Sequence, residues 1–154
     1  MQTGALADAT IVFDLDGTLV DTAPDLIAAA MRLRAELGLP LLSENGIRPM
    51  ISQGGRAILR AALPELPEIG DDLLKRYLQL YHDHICEETV LFPGIAELLA
   101  GLEERGIRWG IVTNKHERFT LPIVSGLGLD RRAAAVVCGD TTPHAKPHPA
   151  PLLE

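Results

Sequence analysis

Ile11-Val12-Phe13-Asp14-Leu15-Asp16-Gly17-Thr18-Leu19-Val20-Asp21 decides how the rest of the chain is read. The run from Ala9 to Phe13 predicts a buried strand that leads straight into a turn carrying two acids. Side chains alternate along a strand, so residues two apart face the same way. Extended backbone carried on for two more residues aims Asp14 and Asp16 into one small volume and turns Leu15 away. Gly17 lets the backbone turn sharply and approach a ligand closely. Two carboxylates at short range repel. A bound Mg2+ relieves this, because hard cations take oxygen ligands. A proton shared or exchanged between the acids relieves it too. The plainer alternative is a strand that ends in an Asx-type turn with both acids solvated.

Outward from this stretch, the chain changes character twice. Thr22-x-x-Asp25 with Pro24 reads as a helix start, and Leu26, Ala30, Leu33 and Leu37 follow at helical spacing until Gly38-Leu39-Pro40. A short helix is expected over Ala57 to Leu63, after Gly54-Gly55-Arg56. A longer one starts at Asp71-Asp72 and carries Leu74, Tyr77, Leu78, Tyr81 and Ile85 on one face. Residues 22 to 88 therefore hold helices only. From Pro93-Gly94 the pattern alternates. A helix through Ile95, Leu98, Leu99 and Leu102 closes at Gly106, and a strand runs from Ile107 to Val112. A helical segment (Glu117 to Leu127) follows, with a kink or late start expected at Pro122, and then a strand from Ala134 to Cys138. Strand, helix, strand, helix, strand is the pattern of a parallel sheet. In such sheets ligands sit beyond the carboxyl ends of the strands, where Asp14, Asp16, Thr113 and Asn114 all fall.

Composition narrows the function. The chain has 154 residues, 47% of them hydrophobic, and a net charge of −7, which argues against a nucleic-acid partner, since that needs a basic face. No apolar run is long enough to span a membrane. Residues Met1 to Ala9 lack a basic stretch followed by an apolar one, so no signal peptide is expected. Cys86 and Cys138 have no metal-ligand spacing and read as ordinary thiols of a cytoplasmic protein. His82 with His84, and His144 with His148, read as surface histidines.

Asp14-x-Asp16-Gly17-Thr18 resembles the first motif of the haloacid dehalogenase superfamily, most of whose members are phosphatases. The resemblance implies an α/β fold: a Rossmann-like parallel sheet core over residues 1–20 and 91–154, with an inserted all-helical cap over residues 21–90. It implies that Asp14 is the nucleophile that becomes aspartyl-phosphate. Asp16 would be general acid and base, and its backbone carbonyl would join Asp14 in the Mg2+ shell. Thr113-Asn114 resembles the second motif, which binds the transferring phosphoryl group; from the residues alone it also suits a helix N-cap. Lys146, in Ala145-Lys146-Pro147, resembles the third motif. Proline after it biases Lys146 to an extended backbone, from which its ammonium reaches sideways as a point charge. Gly17 would shape the phosphate-binding turn.

The expected reaction is hydrolysis of a small phosphate monoester. Phrases such as Val112-Thr113-Asn114-Lys115 and Thr142-Pro143-His144-Ala145-Lys146-Pro147 resemble bacterial phosphoglycolate phosphatases, with a group acting on N-acetylmuramic acid 6-phosphate close behind. Both substrates carry a carboxylate, which Gly55 and Arg56 at a helix start could receive; a turn with a solvated arginine is the alternative. A sugar phosphomutase remains open, as does a catalytically silent binding or regulatory module. A dehalogenase is disfavoured, because it needs no acid at position 16. A monomer or homodimer is expected. The fourth motif, further acids after the next strand, has no counterpart after Lys146. Gly139-Asp140 precedes the lysine and reads as a strand-end turn. A fragment that binds metal weakly and turns over poorly on its own is therefore expected.

Overall fold

The computed structural model describes residues 9–154; the N-terminal stretch read for a signal peptide lies largely outside them. In chain order the elements are β1 (Thr10–Phe13), β2 (Val20–Asp21), α1 (Ala23–Glu36), α2 (Gly55–Ala62), α3 (Asp71–Asp83) and β3 (Val90–Leu91). Then come α4 (Ile95–Glu104), β4 (Arg108–Val112), α5 (Glu117–Gly126), β5 (Val136–Val137) and α6 (Ala150–Leu153). Two compact units result. One joins residues 9–21 with Val90–Glu154, and the other is Thr22–Thr89.

The first unit is α/β. Its sheet has the order β1-β4-β5, and both pairings are parallel. Phe13 lies opposite Ile111, and Ile111 opposite Val136, so all three strands end at the same edge. β4 is central and closed to water after its first residue, with Trp109, Ile111 and Val112 each at most 5% exposed. Its indole N–H, which needs a partner when buried, donates to Glu103 Oε1 at 3.0 Å. β1 is not the buried strand that its apolar residues suggest. It alternates exposed and half-buried positions, and Val12 is 43% exposed. The cause is sheet order. Among the described residues β1 pairs with β4 on one side only, so it is an edge.

Other departures have local causes. β2 and β3 form an antiparallel pair, Val20 opposite Leu91 and Asp21 opposite Val90, that no periodicity announces. Two residues each are too few to show a pattern. α4 ends as expected: Gly106, at φ 68°, lets Ile107 N donate to Leu102 O at 2.9 Å. α5 begins at Glu117 and runs through Pro122 without the expected late start. Both cysteines are free, and burial pushes each thiol up, away from the reactive thiolate.

The second unit contains α1, α2, α3 and two short 3-10 segments. Leu37, expected on the buried face of α1, is 42% exposed, whereas Arg34 is fully buried. Arg34 tolerates this because its donors are satisfied. Nε reaches Pro40 O at 2.7 Å, Nη1 reaches Ala62 O at 2.5 Å, and the fork grips both oxygens of Glu65 at 2.9 and 2.8 Å. Asp25 is not simply a helix-start acid. It is buried, and it accepts hydrogen bonds from Glu88 N, Thr89 N and Thr89 Oγ1 at 2.8, 3.0 and 2.6 Å.

Candidate active site

The carboxyl edge of the sheet gathers residues from three parts of the chain. After β1 the chain enters the turn and its side chains separate by polarity: Leu15 is fully buried, Asp14 is exposed and Asp16 is half-buried. The turn then tightens around one acceptor, since Thr18 N, Leu19 N and Val20 N all point to Leu15 O at 3.0 to 3.3 Å. Gly17 adopts φ 74°, a conformation that costs a residue with a Cβ, and its N–H donates to Val20 O at 3.0 Å. Gly17 thus supplies the shape of the turn. Its amide is engaged within the turn itself.

Each aspartate is met by an ammonium from far along the chain. Lys146 Nζ lies 3.1 Å from Asp14 Oδ1 and also donates to Val112 O at 2.7 Å. Lys115 Nζ lies 2.6 Å from Asp16 Oδ1, with only 11% of its side chain exposed. Leu15 N donates to Asp14 Oδ1 at 2.8 Å, so this oxygen already has two donors. The two carboxylates are therefore not left to repel each other; each has its own counter-charge.

β4 delivers the next residues. Thr113 is buried, and its hydroxyl accepts from Lys115 N at 3.1 Å, leaving its O–H proton to donate elsewhere. It does not cap α5, whose N-cap is His116. Asp140 serves that helix instead, accepting from Glu117 N at 2.8 Å; this bond holds its carboxyl below the usual range. Gly139-Asp140 is thus the strand-end turn that was expected. Gly139 is needed there, because a Cβ would sit 2.2 Å from Asn114 O. The side chain of Asn114 turns to Lys146, whose backbone it holds from both sides.

Gly55 and Arg56 belong to the helical unit and have structural partners there. Arg56 Nη1 donates to Ile69 O at 2.8 Å, and Nη2 pairs with Asp71. The arginine stays open to solvent, with 47% of its side chain exposed. A Cβ on Gly55 would come within 3.0 Å of Leu74 Cδ1, so glycine here allows α2 and α3 to pack closely.

The sequence alone gives Lys115 no role. Its partner is 99 residues away, so no local pattern marks it. Its place directly after Thr113-Asn114 at a strand end was the available signal. For a metal, Asp14 and the Asp16 carbonyl are hard oxygen donors, which suits Mg2+ in kind. Among the described residues no group of three or more His, Cys, Asp or Glu side chains could hold a metal ion. No helix among them is long and apolar enough to cross a membrane.

The family model for haloacid dehalogenase-like hydrolases matches residues 11–154. The chain belongs to that family. Among curated relatives, an N-acetylmuramic acid 6-phosphate phosphatase of Pseudomonas putida is 44% identical over 145 residues, which is 93% of this chain and 65% of the relative. A phosphoglycolate phosphatase of Xanthomonas campestris is 40% identical over 144 residues, again 93% of this chain and 65% of the relative. The chain thus spans about two thirds of the length of these relatives. A crystal structure of a predicted phosphoglycolate phosphatase from Haemophilus somnus superposes with a TM-score of 0.77 at 30% identity, covering 97% of this chain and 71% of that one. The haloacid dehalogenase-like assignment covers both the sheet edge and the inserted helices.

Proposed function

We propose that this haloacid dehalogenase-like chain carries the catalytic half-site of a Mg2+-dependent phosphatase for small phosphate monoesters. One observation carries the reading: two aspartates two residues apart, each faced by a lysine from a different sheet-end loop, at 3.1 and 2.6 Å. Asp14 attacks phosphorus and its carboxylate forms the new bond, while the ester P–O bond breaks. Asp16, once it has taken up a proton from solvent in place of its pairing with Lys115, gives that proton to the leaving alkoxide. The carboxylate so formed is stabilised by Lys115 and then takes a proton from the water that attacks the aspartyl-phosphate. Phosphate leaves and Asp14 is regenerated, so one hard step becomes two easier ones.

Phosphoryl transfer spreads negative charge over the equatorial oxygens, and catalysis is mostly positioning and charge stabilisation. Lys146, the Thr113 hydroxyl and the backbone N–H groups near Asp16 and Asn114 would meet that charge. Mg2+, held by Asp14 and the Asp16 carbonyl, would neutralise more of it. An acid at position 16 favours a phosphatase over a dehalogenase, whose halide leaving group needs no proton.

For the substrate, 2-phosphoglycolate and N-acetylmuramic acid 6-phosphate are the leading candidates, each supported by named relatives at 40% and 44% identity. Both combine a phosphate ester with a carboxylate. Arg56 would receive that carboxylate by exchanging it for Asp71, one carboxylate for another. The test is phosphate release from a panel containing both esters, with and without Mg2+, by a full-length version of the protein and by its Asp14→Asn variant. Turnover should require Mg2+ and vanish in Asp14→Asn without loss of folding. Retained turnover in that variant removes the nucleophile assignment.

A further inference from the structure

We propose that the Asn114 side chain is a positioning residue for Lys146, a role that rests on the phosphatase reading above but concerns a residue no comparison singles out. The carboxamide holds one residue by both of its backbone groups. Its Nδ2 donates to Lys146 O at 3.0 Å, and its Oδ1 accepts from Lys146 N at 2.8 Å. The two bonds span 32 residues and fix the peptide planes on either side of the Lys146 Cα. An ionised Asp only accepts and Leu does neither, so neither could reproduce both bonds.

The far end of Lys146 is held as well. Its ammonium donates to Val112 O at 2.7 Å and stands 3.1 Å from Asp14 Oδ1. A lysine side chain is a flexible four-carbon stem, so an unheld backbone would let the charge wander. With the backbone clamped by Asn114, the stem of Lys146 has only to bridge from that clamp to the end of β4. Asn114 itself is fixed from behind. The Gly139 backbone packs against it so closely that a Cβ would reach its carbonyl oxygen, and Gly139 N donates to Lys115 O at 2.9 Å.

Asn114 is exposed, so water can replace both bonds when the side chain is removed. Its loss should therefore cost little folding stability and should act on where the ammonium sits. This separates positioning from a general structural role.

Two measurements test it. The chain has three lysines, Lys75, Lys115 and Lys146, so limited acetylation followed by peptide mass spectrometry reads each one. Exposed Lys75 serves as internal reference. In Asn114→Ala the Lys146 to Lys75 ratio should rise several-fold as the ammonium leaves Asp14, with an unchanged melting temperature. Asn114→Leu keeps the bulk and should behave like Asn114→Ala; a wild-type ratio in either variant overturns the proposal. The second measurement, made in a full-length version of the protein, is a cycle of kcat for para-nitrophenyl phosphate hydrolysis with Mg2+ in wild type, Asn114→Ala, Lys146→Ala and the double variant. Asn114→Ala should lower kcat about tenfold with KM little changed, as expected for losing about 1.4 kcal/mol of transition-state stabilisation. That loss should disappear in the Lys146→Ala background. Equal losses in both backgrounds overturn the positioning role. Asp14→Asn run alongside reports on the parent reading alone, and the acetylation ratio holds whether or not that reading survives.

Discussion

The sheet unit and the helical unit both use paired charges, and they use them differently. In the helical unit Arg34 is sealed from water, with every nitrogen bonded to a carbonyl or to Glu65. Nothing is left for a ligand. At the sheet edge Lys146 faces Asp14 with 28% and 46% of their side chains exposed. The pair is formed but open on one side, beside a strand end where an anion can enter. Buried and saturated cations hold a fold together; half-open ones next to an acid can change partners. The sealing of the donors distinguishes the two cases, not the residue type.

That contrast can be broken in four places. Lys146→Ala should slow turnover roughly 10^2- to 10^3-fold, the usual loss for one charge-stabilising donor, and leave the urea midpoint in place. A large midpoint shift with normal kcat would make Lys146 a structural residue. Arg34→Ala should do the reverse. It leaves Pro40 O and Ala62 O without donors and should destabilise the helical unit by about 3 kcal/mol in urea unfolding. If stability is unchanged, saturation of donors is not what marks a structural cation.

Glu65 sharpens the same point through pH. The hydrogen bond from Arg34 holds its carboxyl below the usual carboxylate range. A depressed folded value means that its stabilisation is present at neutral pH and is lost as pH falls through that value. The stability gap between wild type and Glu65→Gln should therefore narrow on acidification, as read by urea midpoints from neutral to strongly acid pH. A gap independent of pH would assign the bond to packing. The smallest effect is expected for Arg56→Ala. Its ion pair with Asp71 is exposed, and such pairs contribute roughly 0 to 1 kcal/mol. If Arg56 exchanges Asp71 for a substrate carboxylate, KM rises for 2-phosphoglycolate and not for para-nitrophenyl phosphate. Equal KM changes for both esters remove it from recognition.

Local chemistry was legible in the sequence, and long-range pairing was not. The polarity split at Asp14, Leu15 and Asp16 follows from a period of two over three residues, so it could be read directly. The helix-only stretch and the strand–helix alternation were equally plain, because each element carries its own pattern. Lys115 was missed because its counter-charge lies on another strand's loop. The exposure of Val12 depends on which strands lie beside β1, which no single strand encodes. Arg34 is buried beside the expected apolar face, and the acceptors at Pro40, Ala62 and Glu65 make that position tolerable. Arg56 read as free because Asp71 and Ile69 come together with it only once the chain has folded.

Asp21 and Val90 are ladder partners, so the chain departs from the sheet unit and rejoins it at neighbouring points. Antiparallel partners lie about 5 Å apart, within reach of a two-residue turn. The intervening segment can thus be treated as a cassette. A shortened gene joining the two strands by Asn-Gly would make β2 and β3 a plain hairpin, a compact host into which other segments could be spliced.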